Sequence, residues 1–396
     1  MRRFLLSGLL VVFSAVSAFA QSDFERWLDE TIWPRASEIG VSRKTFDLAL
    51  SGFQPQTRGK KSPRTTQAEF QAPGRYFRED GLKARAERGQ RLARQNARAL
   101  RAMETEFGVP GRIVLAIWGR ESDFGQAALS HNAIEVLAER AFQGPRRAFF
   151  QNELIAALRL AQNGLAPKRL RSSFAGAMGQ PQFMPSNYLK FARDGDGDGQ
   201  ADIWSSEADT IRSIGAFLKH HGWANGRDWG YEVVIPKGVS CTLEGPDQAM
   251  AIRDWVTMGV TRVSGKAFPP QELGQYGSLL LPAGTNGPAF IVTPNFYVLK
   301  AYNQSDLYAL YVGHLADRIA YGMLMFRGKW GQVGKFDSVQ IARLQNSLIR
   351  RGADVGGADG LVGLKTRRSI GLWQERNGRD ATGFPDRQTI RELAQR

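Results

Sequence analysis

Ile113-Val114-Leu115-Ala116-Ile117-Trp118-Gly119-Arg120-Glu121-Ser122-Asp123-Phe124-Gly125 decides how the rest of the chain is read. Pro110 stands where a helix accepts proline in its first turn, and Gly125 where one stops. Ile113, Val114, Ile117 and Trp118 recur at helical spacing and make one apolar stripe. Glu121, eight residues after Ile113 and four after Ile117, falls near the middle of it. A carboxyl on an apolar face loses solvation, which disfavours its charged form and raises its pKa. A general acid is made usable near neutral pH in this way. Spacing alone leans to a plainer reading, a last-turn Glu paired with Arg120 or another nearby Arg.

The wording of Ile117 to Gly125 changes that balance. It resembles the catalytic-helix motif of the lytic murein transglycosylase B family, periplasmic lysozyme-like enzymes that cleave peptidoglycan glycan strands. Stretches at 173–188, 194–209 and 302–308 are similar to further motifs in the family's order, so the resemblance covers most of 22–330. It implies a mainly α fold: a lysozyme-like catalytic domain over 21–332, with a helical N-terminal portion and a small β-containing insertion. It also implies that Glu121 is the catalytic acid/base.

Ser173-Phe174-Ala175-Gly176-Ala177-Met178-Gly179-Gln180-Pro181-Gln182-Phe183 carries small residues that let the backbone approach another surface closely. Gln182 has both a donor and an acceptor, which suits the N-acetyl and hydroxyl groups of an amino sugar. A tight loop between core helices, with Phe183 and Met184 as packing, fits the residues equally well. The resemblance places Ser173 and Gln182 in the saccharide cleft.

Asp194-Gly195-Asp196-Gly197-Asp198-Gly199-Gln200 comes next in the chain. Carboxylates at positions 1, 3 and 5 with Gly at 6 form the first half of an EF-hand calcium loop. Ser205 stands where the closing Glu belongs. The family's variant loop closes with a later Asp, which makes Asp209 the expected closing ligand, with Glu207 as the alternative. Gln200 would give its backbone carbonyl. A structural Ca2+ held by Asp194, Asp196, Asp198, Gln200 and Asp209 is therefore expected, and no organic cofactor. The plainer reading is a solvated Asp/Gly turn capping the next helix.

Residues 232–295 turn to β character at 233–235, 279–281 and 290–292, a small sheet expected to wall one side of the cleft. Tyr302-Asn303-Gln304-Ser305 resembles the family's fourth motif, which implies that Tyr302, Asn303 and Tyr308 lie near the sugar. Bare spacing reads the tyrosines as helix packing and Asn303-Gln304 as a cap. From Phe336 the pattern changes. Leu344-Gln345, Asp359-Gly360, Thr366 and Trp373-Gln374 resemble the small three-helix peptidoglycan-binding domain, expected over 336–396. Gly328, Gly331 and Gly334 read as a loose joint, so cutting near Lys335 is expected to remove wall targeting but leave chemistry intact.

Lys and Arg outnumber Asp and Glu by 53 to 38, which favours polyanionic partners without choosing among them. Met1-Arg2-Arg3, a short apolar run and Ala18-Phe19-Ala20 read as a signal peptide over 1–20. The run is too short for a spanning anchor, and no Cys follows the cleavage site. The expectation is a periplasmic protein with no nucleic-acid partner and no stable membrane anchor. It would act on peptidoglycan glycan strands, with other cell-wall enzymes as further candidate partners. The one Cys, Cys241, cannot form an intramolecular disulfide.

Ordinary glycosidases set a second carboxylate opposite the acid, and Asp123 points to a different helix face from Glu121. A single Glu fits neighbouring-group chemistry that yields 1,6-anhydro-MurNAc, the outcome the family resemblance implies. A hydrolytic muramidase and a noncatalytic wall-binding protein remain as rivals.

Overall fold

Asn132, with its side chain accepting from the N–H groups of Ile134 and Glu135, caps the helix Ala133–Gln143. The computed structural model describes residues 23–55, 73–322, 325–331 and 336–394. The chain is mainly α, with small sheets, and falls into two units. One takes the described residues of Met1–Pro63, Arg98–Leu100 and Ile117–Phe217; the other those of Arg64–Ala97, Arg101–Ala116 and Leu218–Arg396. The signal-peptide reading lies outside the described residues. Among the described residues, no helix is long and apolar enough to cross a membrane.

In the first unit Ala133–Gln143 packs against Arg147–Gln162. The Ala-, Leu- and Phe-rich stretch 133–160 is expected to be helical and is, with Gly144-Pro145 dividing it into two helices. Proline disfavours a helical residue before it, and a Cβ at Gly144 would lie 2.7 Å from the Arg140 carbonyl. Arg146 then takes a left-handed backbone, φ 62°.

In the second unit an antiparallel sheet runs in the order Met250–Ala251, Tyr276–Leu280, Ala289–Val292, Gly230–Val234, Thr261–Arg262. The three longer strands match the expected β stretches, and Leu279 and Tyr231 both face Ile291 in register. Tyr231, Val233, Ile252, Trp255, Leu279 and Ile291 form its core. Thr293 caps the following helix, Pro294–Tyr302, and Ser305 caps the next, Asp306–Tyr321.

The C-terminal residues have a core of their own around Ile341, Leu344, Leu348, Ile370 and Leu393. Asp337 and Gln340 close a reciprocal capping box at its first helix. Gln345, one of the residues carrying the resemblance, is fully buried; its amide donates to Asp359, Leu361 O and Thr366, and its oxygen accepts from Gly360 N.

The expected loose joint is anchored where it is described. Glu232 accepts from Arg327 N and Gly328 N, and Gly331 N donates to Asn286 O at 2.6 Å. Gly328 serves close approach, since a Cβ there would lie 2.8 Å from Pro288 Cα. Cys241 lies buried beneath Gly371, and burial pushes its thiol up to about 12, far from a nucleophile's range.

Candidate active site

The Gly111–Ser122 helix is wrapped by core on most sides, with Ile113 to Trp118 all buried. Such a helix is held by packing rather than by its termini. Glu121, in the last turn, is only half-buried, so the carboxyl comes at the point where the buried helix meets solvent.

Beyond Glu121 the backbone turns sharply. Asp123, Phe124 and Gly125 are left-handed in succession, φ 50°, 59° and 81°. The first two store strain of about 1–3 kcal/mol each. The turn is closed by Phe124 N to Trp118 O at 3.3 Å, Gly125 N to Ser122 Oγ at 2.9 Å and Ala127 N to Ser122 O at 2.9 Å. Phe124 folds back edge-on to Trp118, centroids 5.5 Å apart. Gly119 permits this, because a Cβ there would lie 2.6 Å from the Phe124 ring.

Gln180, inside the Ser173–Phe183 stretch but with no role legible from sequence, ties this helix to its surroundings. It is buried, accepts from Trp118 Nε1 at 2.8 Å and donates to Trp204 O at 3.2 Å, while its own N–H reaches Ile203 O at 2.8 Å. Gly125 must lack a Cβ to pass its amide. Gln182 is left-handed at φ 52°, half-buried, and donates to Gly179 O at 2.8 Å. Its carbonyl oxygen remains a candidate sugar contact. Ser173 is half-buried, its N–H on Ala177 O, beside Phe174, a residue that is 65% exposed.

Trp204 O, the acceptor for Gln180, belongs to the acidic loop. There Asp194, Asp196 and Asp209 bring carboxylate oxygens within 4.8 Å of one another. Asp194 accepts from Gly197 N and Gly199 N, which hold its carboxyl below the usual range. Asp209 is buried, which pushes its carboxyl up, although Gly195 N and Asp202 N donate to it. Asp198 lies outside this trio and accepts from Gln200 N at 2.7 Å. Ser205 donates to Asp202 and Glu207 begins the next helix, so Asp209 is the later carboxylate that converges. Three carboxylates of this kind suit a hard divalent cation.

Tyr302, Asn303 and Tyr308 belong to the second unit, and Glu121, Ser173, Gln182 and the acidic loop to the first. Asn303 is exposed and accepts from Ser305 N at 3.1 Å. Tyr302 is half-buried, whereas Tyr308 is 2% exposed, so its ring sits in the core.

Comparison with known proteins bears on this arrangement. A transglycosylase SLT domain matches residues 23–317, and a putative peptidoglycan binding domain matches 337–393. The membrane-bound lytic murein transglycosylase B of Escherichia coli K12 is 36% identical over 220 residues, 54% of this chain and 58% of that protein. The match thus spans little more than half the length of that curated relative. Among solved structures, SltB3 of Pseudomonas aeruginosa in complex with NAG-anhNAM-pentapeptide is 36% identical with a TM-score of 0.82, covering 93% of this chain and 99% of that one. Escherichia coli Slt35 in complex with calcium is 27% identical with a TM-score of 0.55, covering 76% and 92%. Residues 23–317 together with 337–393 place the chain in the transglycosylase SLT-domain family, whose relatives here are lytic transglycosylases, with a putative peptidoglycan binding domain appended.

Proposed function

We propose that the chain is a periplasmic lytic murein transglycosylase that cleaves the MurNAc–GlcNAc β-1,4 bond without consuming water. Glu121 first protonates the glycosidic oxygen. As carboxylate it then takes the proton from the C6 hydroxyl as that oxygen closes on C1, giving a 1,6-anhydro-MurNAc end. The observation that carries the reading is a carboxyl at the solvent end of a buried helix, followed at once by a strained left-handed turn that Phe124 anchors against Trp118. A relative crystallised with an anhydro-sugar muropeptide supports the same product.

Ser173, Gln182, Tyr302 and Asn303 bind the glycan in this reading. Tyr308 acts from beneath, by placing the Asn303 turn. Asp194, Asp196 and Asp209 would hold calcium, which neutralises their mutual repulsion and fixes the loop whose Trp204 carbonyl meets Gln180. Residues 21–332 carry the chemistry and 336–396 attach the enzyme to the wall, after export by the leader at 1–20.

Glu121→Gln tests the assignment, since the amide keeps the shape and cannot supply a proton. Turnover of purified sacculi should fall by about 10²–10⁴-fold, with the fold unchanged by circular dichroism. Mass spectrometry of the wild-type products should find 1,6-anhydro ends. Reducing ends would make it a hydrolytic muramidase, and no cleavage at all a wall-binding protein.

A further inference from the structure

Arg367 lies on the helix Leu364–Arg376, inside the segment that matches a peptidoglycan binding domain. It is 2% exposed, and its guanidinium is held mainly by residues outside that segment. Nε lies 3.2 and 3.1 Å from the two Glu244 carboxylate oxygens, and Nη2 lies 2.6 Å from Glu244 Oε1 and 2.9 Å from Asp306 Oδ2. Within its own segment the guanidinium reaches Val362 O, at 3.1 Å.

Asp306 is the first residue of the helix Asp306–Tyr321, and its other oxygen takes Lys300 Nζ at 2.6 Å from the preceding helix. One carboxylate therefore pins both sides of the short turn Asn303-Gln304-Ser305. Within the turn, Ser305 N donates to Asn303 Oδ1 at 3.1 Å and Tyr308 N to Ser305 Oγ at 3.3 Å, both local bonds. Glu244 in turn accepts from Leu281 N at 2.9 Å, fixing the cluster to the sheet region. Two buried carboxylates are balanced by two cations, and one of these comes from the C-terminal segment.

We infer that Arg367 is a positioning residue for the substrate-binding turn 302–308, so that the C-terminal segment completes the active site as well as attaching to the wall. The inference rests on the proposed reading of Asn303 as a glycan contact. Arg367 fixes Asp306, Asp306 fixes the turn, and the turn presents Asn303. A displacement of about 1 Å at such a contact costs on the order of 10²-fold in rate. Arg368, the next residue, supplies the contrast. It pairs with Asp247 at the exposed edge of the same contact and does not reach Asp306.

The test is a double-mutant cycle in the full-length protein, with a short soluble muropeptide as substrate so that wall attachment plays no part. Arg367→Met should lower kcat by about 10–100-fold, and Asn303→Ala by a similar factor. The double variant should lose little beyond the larger single loss, because both remove one function. Arg368→Ala should stay within about twofold of wild type, as its pair is exposed. If Arg367→Met does not fold, Arg367→Lys enters the same cycle, since lysine keeps a charge but not the fork that spans two carboxylates. Losses that add in the cycle, or a wild-type kcat in the Arg367 variant beside an impaired Asn303→Ala, overturn the inference and leave the proposed function standing. Inactive wild-type protein, or an unimpaired Asn303→Ala, overturns the reading beneath it and the inference with it.

Discussion

Asp194, Asp196 and Asp209 bring their carboxylates together on dipoles, accepting from backbone N–H groups and the Ser206 hydroxyl. Glu244 and Asp306 are both buried and meet full charges, Arg367 between them and Lys300 on the far side of Asp306. The electrostatic problem is the same in both places, because crowded carboxylates resist ionisation unless a cation favours it. In the acidic loop N–H dipoles, with the Arg212 guanidinium donating to Asp194 O nearby, hold the carboxylates, and a hard cation from solution would add a full charge among them. In the buried cluster the chain carries its own cation. The loop should therefore respond to its ionic surroundings, and the cluster should respond only to mutation.

The largest effect expected from that contrast is at Arg367. Replacing it by Leu leaves Glu244 without a charged partner and Asp306 with Lys300 alone. Breaking a buried pair from one side costs about 3–5 kcal/mol. The urea midpoint should fall accordingly, with an unchanged m-value. Replacing Glu244 by Leu as well should recover much of the loss, because no uncompensated charge then remains. Truncation near Lys335 removes the same cation, so it should impair the rest of the chain, against the expectation of an independent module. A single variant as stable as wild type would break the comparison.

Calcium gives the next largest. With a dissociation constant of about 10⁻⁴–10⁻³ M, the range of extracellular sites, the ion should stabilise the fold by roughly 1.4–2.7 kcal/mol at ten- to hundredfold excess. Thermal melting with calcium and then with chelator reads this, and Asp196→Ala should abolish the shift. The pH dependence has a definite sign. Burial raises the Asp209 carboxyl, so without the ion its contribution is fully present below the ordinary value and is lost as pH rises through the raised one. A bound cation favours the carboxylate and opposes that loss. The calcium shift should therefore shrink as pH falls through the Asp209 pKa. An equal shift in Asp196→Ala would place the ion elsewhere.

The same contrast explains what could be read in advance. Glu121 and the acidic loop are local patterns: Glu121 is the fourth position after Ile117, and the Asp residues alternate with glycines. Gln180 was not legible, because Trp118 lies 62 residues away and only the fold brings its indole N–H there. Sequence singled out Gln182 for its chemistry, and nothing local distinguishes the two glutamines. Arg367 was hidden in the same way, with partners 123 and 61 residues distant. The pattern of a small helical module explains its neighbours Thr366 and Ile370 and gives no reason for a buried Arg. Gly328 and Gly331 misled, since glycine serves close approach as readily as looseness. The later carboxylate of the loop was legible in place as well, since Asp209, the one expected from sequence, is the one whose oxygens converge with those of Asp194 and Asp196.

Asp198 should give the smallest effect, and it sharpens the comparison most finely. In sequence it is equivalent to Asp194 and Asp196, one of three alternating carboxylates. In the fold it accepts from Gln200 N at 2.7 Å on an exposed stretch, outside the convergent trio. Asp198→Ala removes one local turn bond, which should change stability by about 0.5 kcal/mol or less. Calorimetric titration should find its calcium affinity within about threefold of wild type, because a change of about 1.4 kcal/mol would be needed for tenfold. Asp209→Ala should instead eliminate binding and also strand the N–H groups of Gly195 and Asp202. If Asp198→Ala abolishes binding as fully as Asp196→Ala, the ion sits among the alternating residues as in the first half of an EF-hand. Asp209 would then be a helix-terminal brace for the loop rather than a ligand.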